Sequence, residues 1–368
     1  MITKYRIDFI GEKESEKDFS SILVYFETDK NKKVLGVYDG GFESTGRVLL
    51  EHLEKHYFNY FKDGKRKLDF IVCSHPHDDH VSGLKYLIEN CEVQNLYMNR
   101  PWKYADELFK YRTDGRITQE SLERQLKEIF SSVDDLEAIA AEKSVNIVDA
   151  FAGAKIEDEI YVLSPSIDFY KKLIIECCEK LETKINIKES SEGLFSRVKK
   201  YILNIIEEWN KETLKEDVST SPENEMSIVL YCNAGNESFL LTGDSGLRGL
   251  GNAIEKAGKK GISIKDSVSF YQIPHHGSRH NVSPSLLNEL LGEIKDDSHI
   301  STKIAVASVC KDSDHPLKVV TNAFIRRSVK IYSTKDGNII SYSYKLPSYD
   351  GWTFLKEGEF SNKVEKWN

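Results

Sequence analysis

The segment Ser74-His75-Pro76-His77-Asp78-Asp79-His80 gathers three of the ten histidines of a 368-residue chain, with two carboxylates beside them. It follows directly on an apolar run, Leu68-Asp69-Phe70-Ile71-Val72-Cys73. A strand running into a tight loop fixes the separations of its side chains, so His75, His77, Asp79 and His80 can converge on one or two divalent ions. Neutral imidazoles favour zinc, and a carboxylate-rich pair also holds manganese. The plainer reading, a polar loop that caps the helix expected from Val81 to Asn90, leaves the concentration of imidazoles unexplained.

The elements around this segment repeat one grammar. Val34-Leu35-Gly36-Val37-Tyr38 ends in Asp39-Gly40-Gly41, where glycines permit a tight turn and leave a carboxylate at the strand end. A hairpin expected from Met226 to Leu241 ends in Thr242-Gly243-Asp244. Val268 to Ile273 delivers Pro274-His275-His276-Gly277-Ser278, and Ile304 to Val309 precedes Asp314-His315-Pro316. Strands that each finish in a polar cluster predict a site collected along one edge of a layered α/β sandwich.

Two stretches break the pattern. From about 102 to 150 and from 167 to 222 the sequence turns to charged amphipathic helices, among them Phe169 to Leu181 and Leu194 to Trp209, read as insertions into one domain spanning 1–368. Mixed charge along them predicts solvated faces over a packed stripe; a substrate cap, or a contact with a protein partner or a second copy, is the sharper alternative.

Composition narrows the classes. A net charge of −8, from 59 acidic and 51 basic residues, argues against indiscriminate binding to nucleic-acid backbone and leaves room for a local basic groove. No run of eighteen apolar residues and no leader-like start are present, so a soluble cytoplasmic protein with no membrane partner is expected. The six cysteines show no CxxC pairing, and most lie in apolar runs.

Taken together, these clusters resemble the HxHxDH motif and its companions in the metallo-β-lactamase superfamily. The likeness is strongest to the hydrolase domain of ComEC-type DNA-uptake proteins, here without the membrane-spanning segments that accompany that domain. The residues that carry it are Val37 to Gly41, His75 to His80, Asn224 to Ser227, Leu240 to Asp244, Ile273 to Ser278 and His315-Pro316. The resemblance implies an αββα sandwich holding two divalent ions, with His75 and His77 on one, Asp79 and His80 on the other, and Asp244 bridging both. Of His275 and His276 one should join the second ion; His276 is preferred, because adjacent side chains of an extended segment point to opposite sides. Many relatives supply another histidine between the first cluster and the bridging Asp, but here none lies between 81 and 274, so Ser227 or water is left to complete the first ion's sphere.

The chemistry implied is hydrolysis of a phosphodiester, in nucleic acid or a nucleotide, by a hydroxide held between two ions. Asp78 is a candidate to orient it, His275 to contact substrate, and His315 to protonate the leaving oxygen. Ser278, Arg279, the backbone after Gly277, Arg248, Lys199 and Lys200 are candidate phosphate contacts, while Asp39 and Ser227 support the ligands. Lactone or ester hydrolysis would use the same ions, and a metal-stabilised partner-binding protein of reduced activity is the non-enzymatic alternative.

Overall fold

The computed structural model describes residues 1–12, 14–59, 63–109, 119–157, 159–190, 204–235, 237–296, 300–343, 346 and 356–367, of which 181–190 by backbone alone. Strands β1 (Ile2–Phe9), β2 (Ser21–Thr28), β3 (Lys33–Gly40), β4 (Lys67–Val72), β5 (Glu92–Tyr97) and β6 (Asn146–Val148) build the first sheet. The second holds β7 (Lys155–Ile156), β8 (Ile160–Ser164), β10 (Val229–Ala234), β11 (Glu237–Leu241), β12 (Phe270–Gln272), β13 (Lys303–Ala307) and β14 (Val329–Ser333). Strand β15 (Ile339–Tyr342) returns to the first sheet, giving the orders β15-β1-β2-β3-β4-β5-β6 and β14-β13-β12-β11-β10-β8-β7.

The two sheets face each other across an apolar layer to which both contribute, including Phe9, Phe26, Tyr38, Phe70, Val162, Leu230, Phe239 and Phe270. Helices cover the outer faces. Helix α1 (Glu43–Leu53), α2 (Asp78–Asn90), α3 (Gln119–Ile129), α4 (Ser131–Glu142) and the long α5 (Ile167–Ser190) lie over the first sheet's side. The second is covered by α6 (Leu247–Lys259), α7 (Pro284–Leu291) and α8 (Lys318–Arg326). Burial on both faces explains why β2 reads as a nearly unbroken apolar run rather than an alternating one. This is the metallo-β-lactamase arrangement of four layers expected from the sequence.

Parallel pairing positions the site. Strands β3, β4, β5 and β6 run parallel, as do β11, β12, β13 and β14, so their carboxyl ends come out along one edge. The helix after the histidine segment begins at Asp78, earlier than Val81, which puts Asp78 and Asp79 in its first turn, where carboxylates suit the helix dipole. Its apolar stripe, Val81, Leu84, Leu87 and Ile88, is buried at helical spacing. Gly83 lets α2 approach β3: a Cβ there would stand 1.9 Å from the Gly40 carbonyl oxygen.

The insertions differ from expectation in detail. The first closes before 150, because Asn146–Val148 pairs with β5. The apolar stripe of α5, with Tyr170, Leu173, Ile174 and Cys177, is core, as the packed-stripe reading had it. Of the helix expected over Leu194 to Trp209, residues 191–203 lie outside the described residues, and 204–206 form strand β9 (Asn204–Ile206), because β16 (Lys363–Glu365) pairs with it. Among the described residues no helix is long and apolar enough to cross a membrane.

Candidate metal centre

Asp39, Asp79 and Asp244 come together with His75, His77, His80, His275 and His276 at the shared strand edge. Asp39 lies at the carboxyl end of β3 with φ of 60°, a left-handed conformation that Asp tolerates, and is fully buried. Its Oδ2 lies 2.7 Å from His80 Nδ1, and its Oδ1 accepts the Ser74 backbone N–H at 2.9 Å. Ser74 Oγ donates to Asp39 Oδ2 and stands 3.0 Å from His75 Nδ1. His276 Nδ1 donates to the Ser308 carbonyl oxygen at 2.6 Å. Each anchor therefore claims Nδ1 and leaves Nε2 of the ring to face Asp244.

The free nitrogens and carboxylates form two sets that share Asp244. Asp79, His80, Asp244 and His276 make one, and His75, His77 and Asp244 the other. His80 Nε2 is 3.3 Å from Asp244 Oδ1 and 3.6 Å from Asp79 Oδ2; His276 Nε2 is 3.4 Å from Asp79 Oδ2. His75 Nε2 stands 3.7 Å from Asp244 Oδ2. Nε2 of His80 and of His276 is buried without a hydrogen-bond partner. Buried polar atoms are rarely left so. Donors that share a tetrahedral ion at about 2.1 Å stand about 3.4 Å apart, so the spacing fits divalent metal at both sets, and the orphaned nitrogens fit it at the set around Asp79, while His75 Nε2 lies 3.1 Å from His77 Nδ1 in the other.

The electrostatics agree. Burial works against a charged ring at His80, but Asp244, Asp39 and Asp79 outweigh it and hold its pKa well above the ordinary value. Burial likewise opposes charge at His276, which Asp244 and Asp79 push up to about 9. His75, surrounded by burial and the positive field of His80, is driven well below the ordinary range. The carboxylates demand more positive charge at this edge than water-exposed imidazoles would carry. A dication held by these residues would meet that demand in place of protons.

Other expected residues sit as follows. Ser227 Oγ accepts the Asp244 backbone N–H at 3.0 Å and so steadies the loop that carries this carboxylate. His275 and His276 are not extended: φ of 48° and 60° in the Pro274–Gly277 turn sends both rings toward Asp244, against the expectation of opposite faces. Asp78 is exposed and accepts from Ser132 Oγ on α4, so it ties α2 to the first insertion rather than facing the histidines. Ser278 spends its backbone N–H on the His275 carbonyl, at 2.9 Å, and its Oγ accepts from His280 N. The Arg279 guanidinium donates to the carbonyls of Glu365 and Lys366 and packs on Trp367. Arg248 is paired with Glu176. Lys199 and Lys200 lie outside the described residues.

His315 is about one-third exposed, with Nδ1 3.0 Å from Asp18 Oδ2. Asp18 also accepts from Cys310 N and Ser313 Oγ, and the chain beyond it donates from Ser20 N to the Asp79 carbonyl, which ties the pair to the metal-loop edge. Asp18, Ser74, Ser308 and Asn281 are the functional neighbours that sequence reasoning missed. Asp18 and Asn281 stand apart from any motif, and the backbone role of Ser308 leaves no trace in residue type. A pocket of about 740 Å³ is lined by Met1, Glu159, Tyr161, Tyr231 and their neighbours, and none of the cluster lines it.

Comparison with known proteins bears on the same segment. Residues 19–148 match the Metallo-beta-lactamase superfamily. The match takes in Asp39 and the histidine segment, whereas Asp244, His275, His276 and His315 lie beyond it and rest on geometry. None of the curated proteins compared matches the chain. Among solved structures, a metallo hydrolase of the hyperthermophilic archaeon Ignicoccus hospitalis is similar at 10% identity over 92% of this chain and 99% of its own, with a TM-score of 0.40. A long-form RNase Z from yeast is similar at 11% identity over 92% of this chain and 41% of its own, with a TM-score of 0.36.

Proposed function

We infer that the protein is a metal-dependent hydrolase of phosphodiesters, acting on nucleic acid or a nucleotide with two divalent ions, zinc or manganese. The observation that carries this is Asp244, whose Oδ1 faces His80 while its Oδ2 faces His75, so one carboxylate serves both donor sets. His75 and His77 would hold one ion, Asp79, His80 and His276 the other. When bound, the ions supply a nucleophile from water at neutral pH and a sink for the charge that develops on the phosphoryl oxygens.

The chain's own groups do the rest. Asp39, Ser74 and Ser308 hold the rings in the tautomer that presents Nε2, the outer support on which metal affinity depends. Asp18, on the His315 Nδ1, orients that ring so that its other nitrogen can give a proton to a departing alkoxide. A proton donor beside a metal pair supports an ester whose leaving group is a poor one, as in a nucleic-acid backbone. The ComEC-type likeness of the motifs supports the same substrate class.

The test is a screen of the metal-reconstituted chain against single-stranded DNA, RNA, cyclic nucleotides, bis(p-nitrophenyl) phosphate and a lactone panel. Metal-dependent cleavage of a phosphodiester is expected. Lactone turnover with no phosphodiesterase activity would replace this reading by that of an ester hydrolase, and inactivity of a fully loaded chain on every substrate would favour a binding protein.

A further inference from the structure

The two donor sets are unequal: the one around Asp79 offers four protein groups, and the one around His75 and His77 offers three. A neighbouring ring has its nitrogen in place to even them. His275 Nε2 lies 3.5 Å from Asp244 Oδ2, the same oxygen that His75 Nε2 approaches to 3.7 Å, and close to the spacing expected of donors that share an ion. The ring stands just outside the tighter grouping of His75, His77 and Asp244, with its side chain about one-third exposed at 32%.

The tautomer of this ring is fixed by Asn281. Asn281 is fully buried, and its Nδ2 donates to the Asp244 carbonyl oxygen at 2.7 Å and more weakly to that of Ser245. A carbonyl can only accept, so the amide nitrogen must face it and the amide oxygen must face the other way. That oxygen lies 2.8 Å from His275 Nδ1, so Nδ1 is the nitrogen that donates and Nε2 is the one left to offer a lone pair to an ion. Asn224 Nδ2, at 3.3 Å from the same Nδ1, is a weaker neighbour, and turning its amide would give its unpartnered Oδ1 that proton as well. Asn281 thus clamps the imidazole to the loop that carries the bridging carboxylate. The left-handed turn at His275 and His276 is what lets two adjacent rings reach one Asp from the same side.

We propose that His275 is a metal ligand, the fourth protein donor of the first ion beside His75, His77 and Asp244, while His276 serves the second. This deepens the two-ion reading above and rests on it. His275 and His276 are then not alternatives for one position, and Asn281 is a positioning residue that sets the affinity of the first site through His275.

The test is zinc stoichiometry and affinity, measured by metal analysis after dialysis and by titration against a chelating indicator, on the full chain with its fold followed by circular dichroism. Wild type should retain two equivalents, and His275→Ala one, with the second bound at least about tenfold more weakly. Adding His77→Ala to His275→Ala should cost no further ion, because both act on one site, whereas adding Asp79→Ala should remove the remaining one. A His275→Ala chain that keeps both ions at wild-type affinity would overturn this assignment and leave the two-ion reading standing. Wild type that binds a single ion would remove that reading and the assignment together. Should the substituted chains not fold, carbethoxylation of wild type read by peptide mass decides the matter: zinc should protect His275 from the reagent, and equal modification with and without zinc overturns the proposal.

Discussion

Asp39 Oδ2 lies 2.7 Å from His80 Nδ1, and neither side chain has any exposed surface. The carboxylate also takes the Ser74 N–H and the Ser74 hydroxyl, so it uses both oxygens as acceptors. An amide cannot do this. In Asp39→Asn one end of the group becomes a donor and must face either the Ser74 N–H or the His80 N–H. The expected result is a fold that persists and zinc affinity at the His80 set lowered about 10–100-fold, read by competition with a chelator. Unchanged affinity would mean that Asp39 supports the turn and nothing more.

Asp244 is held by its backbone as well as by its charge, through Ser227 Oγ on its N–H and Asn281 on its carbonyl. Asp244→Ala should therefore keep the loop in place while removing the carboxylate common to both donor sets. Metal content should fall below one equivalent, and turnover of bis(p-nitrophenyl) phosphate should fall by more than the roughly 100-fold upper range of supporting residues. Retention of two ions would remove Asp244 from the bridging position.

Packing at α2 gives a test that is independent of chemistry. Ala at Gly83 would put its Cβ 1.9 Å from the Gly40 carbonyl oxygen and 2.8 Å from the Phe42 carbonyl oxygen, and backbone on both sides cannot move cheaply. Gly83→Ala should cost about 3 kcal/mol or more of stability in urea unfolding. Gly251, in α6 with nothing within 4 Å of a Cβ, is the control. There, Ala should stabilise by about 0.5–1 kcal/mol through helix propensity. Equal effects at the two sites would refute the packing account.

How much of this could be read in advance differs by residue. The clusters at Asp39, His75–His80, Asp244 and His275–His276 were legible because each ends an apolar strand, and parallel pairing sends those ends to one edge. The conformation of His275 and His276 was not, since a left-handed turn at two consecutive non-glycine residues overrides the alternation of an extended chain. Gly40 was read as turn freedom. The positive φ belongs to Asp39 and Gly41, and Gly40 instead makes room for α2. The partners of Ile339–Tyr342 and Asn204–Ile206 lie far along the chain, in β1 and at Lys363–Glu365, and short apolar runs carry no record of them.

Acid stability should depend on Asp18. Burial raises the pKa of this carboxyl, but hydrogen bonds from His315, Ser313 and Cys310, with the nearby His276 charge, prevail and hold it at about 2. A depressed folded pKa means that the unfolded chain takes up the proton first. The stabilisation is thus complete above the unfolded value near 4 and is lost as pH falls from there toward about 2, an effect on the order of 2 kcal/mol. Asp18→Asn should flatten the acid limb of the stability profile over that window and leave stability near neutral pH without further pH dependence from this position. An unchanged acid limb would show that the carboxylate has the same environment in the folded and unfolded chain.

The role of His315 can be separated from metal binding by the choice of leaving group. Its Nδ1 is engaged by Asp18, which leaves the other ring nitrogen as the donor, on a side chain that is about one-third exposed at 34%. An alkoxide departing from a nucleotide needs a proton in the transition state, and an activated nitrophenolate does not. His315→Ala should slow the first by about 10²–10⁴-fold while changing the second little, with zinc content unaltered. Asp18→Asn should show the same selectivity in smaller measure, because it disturbs the ring's orientation and leaves the donor in place. Equal losses on the two substrates would assign His315 to substrate binding or to the loop's structure, and a loss of zinc would move it into the metal centre.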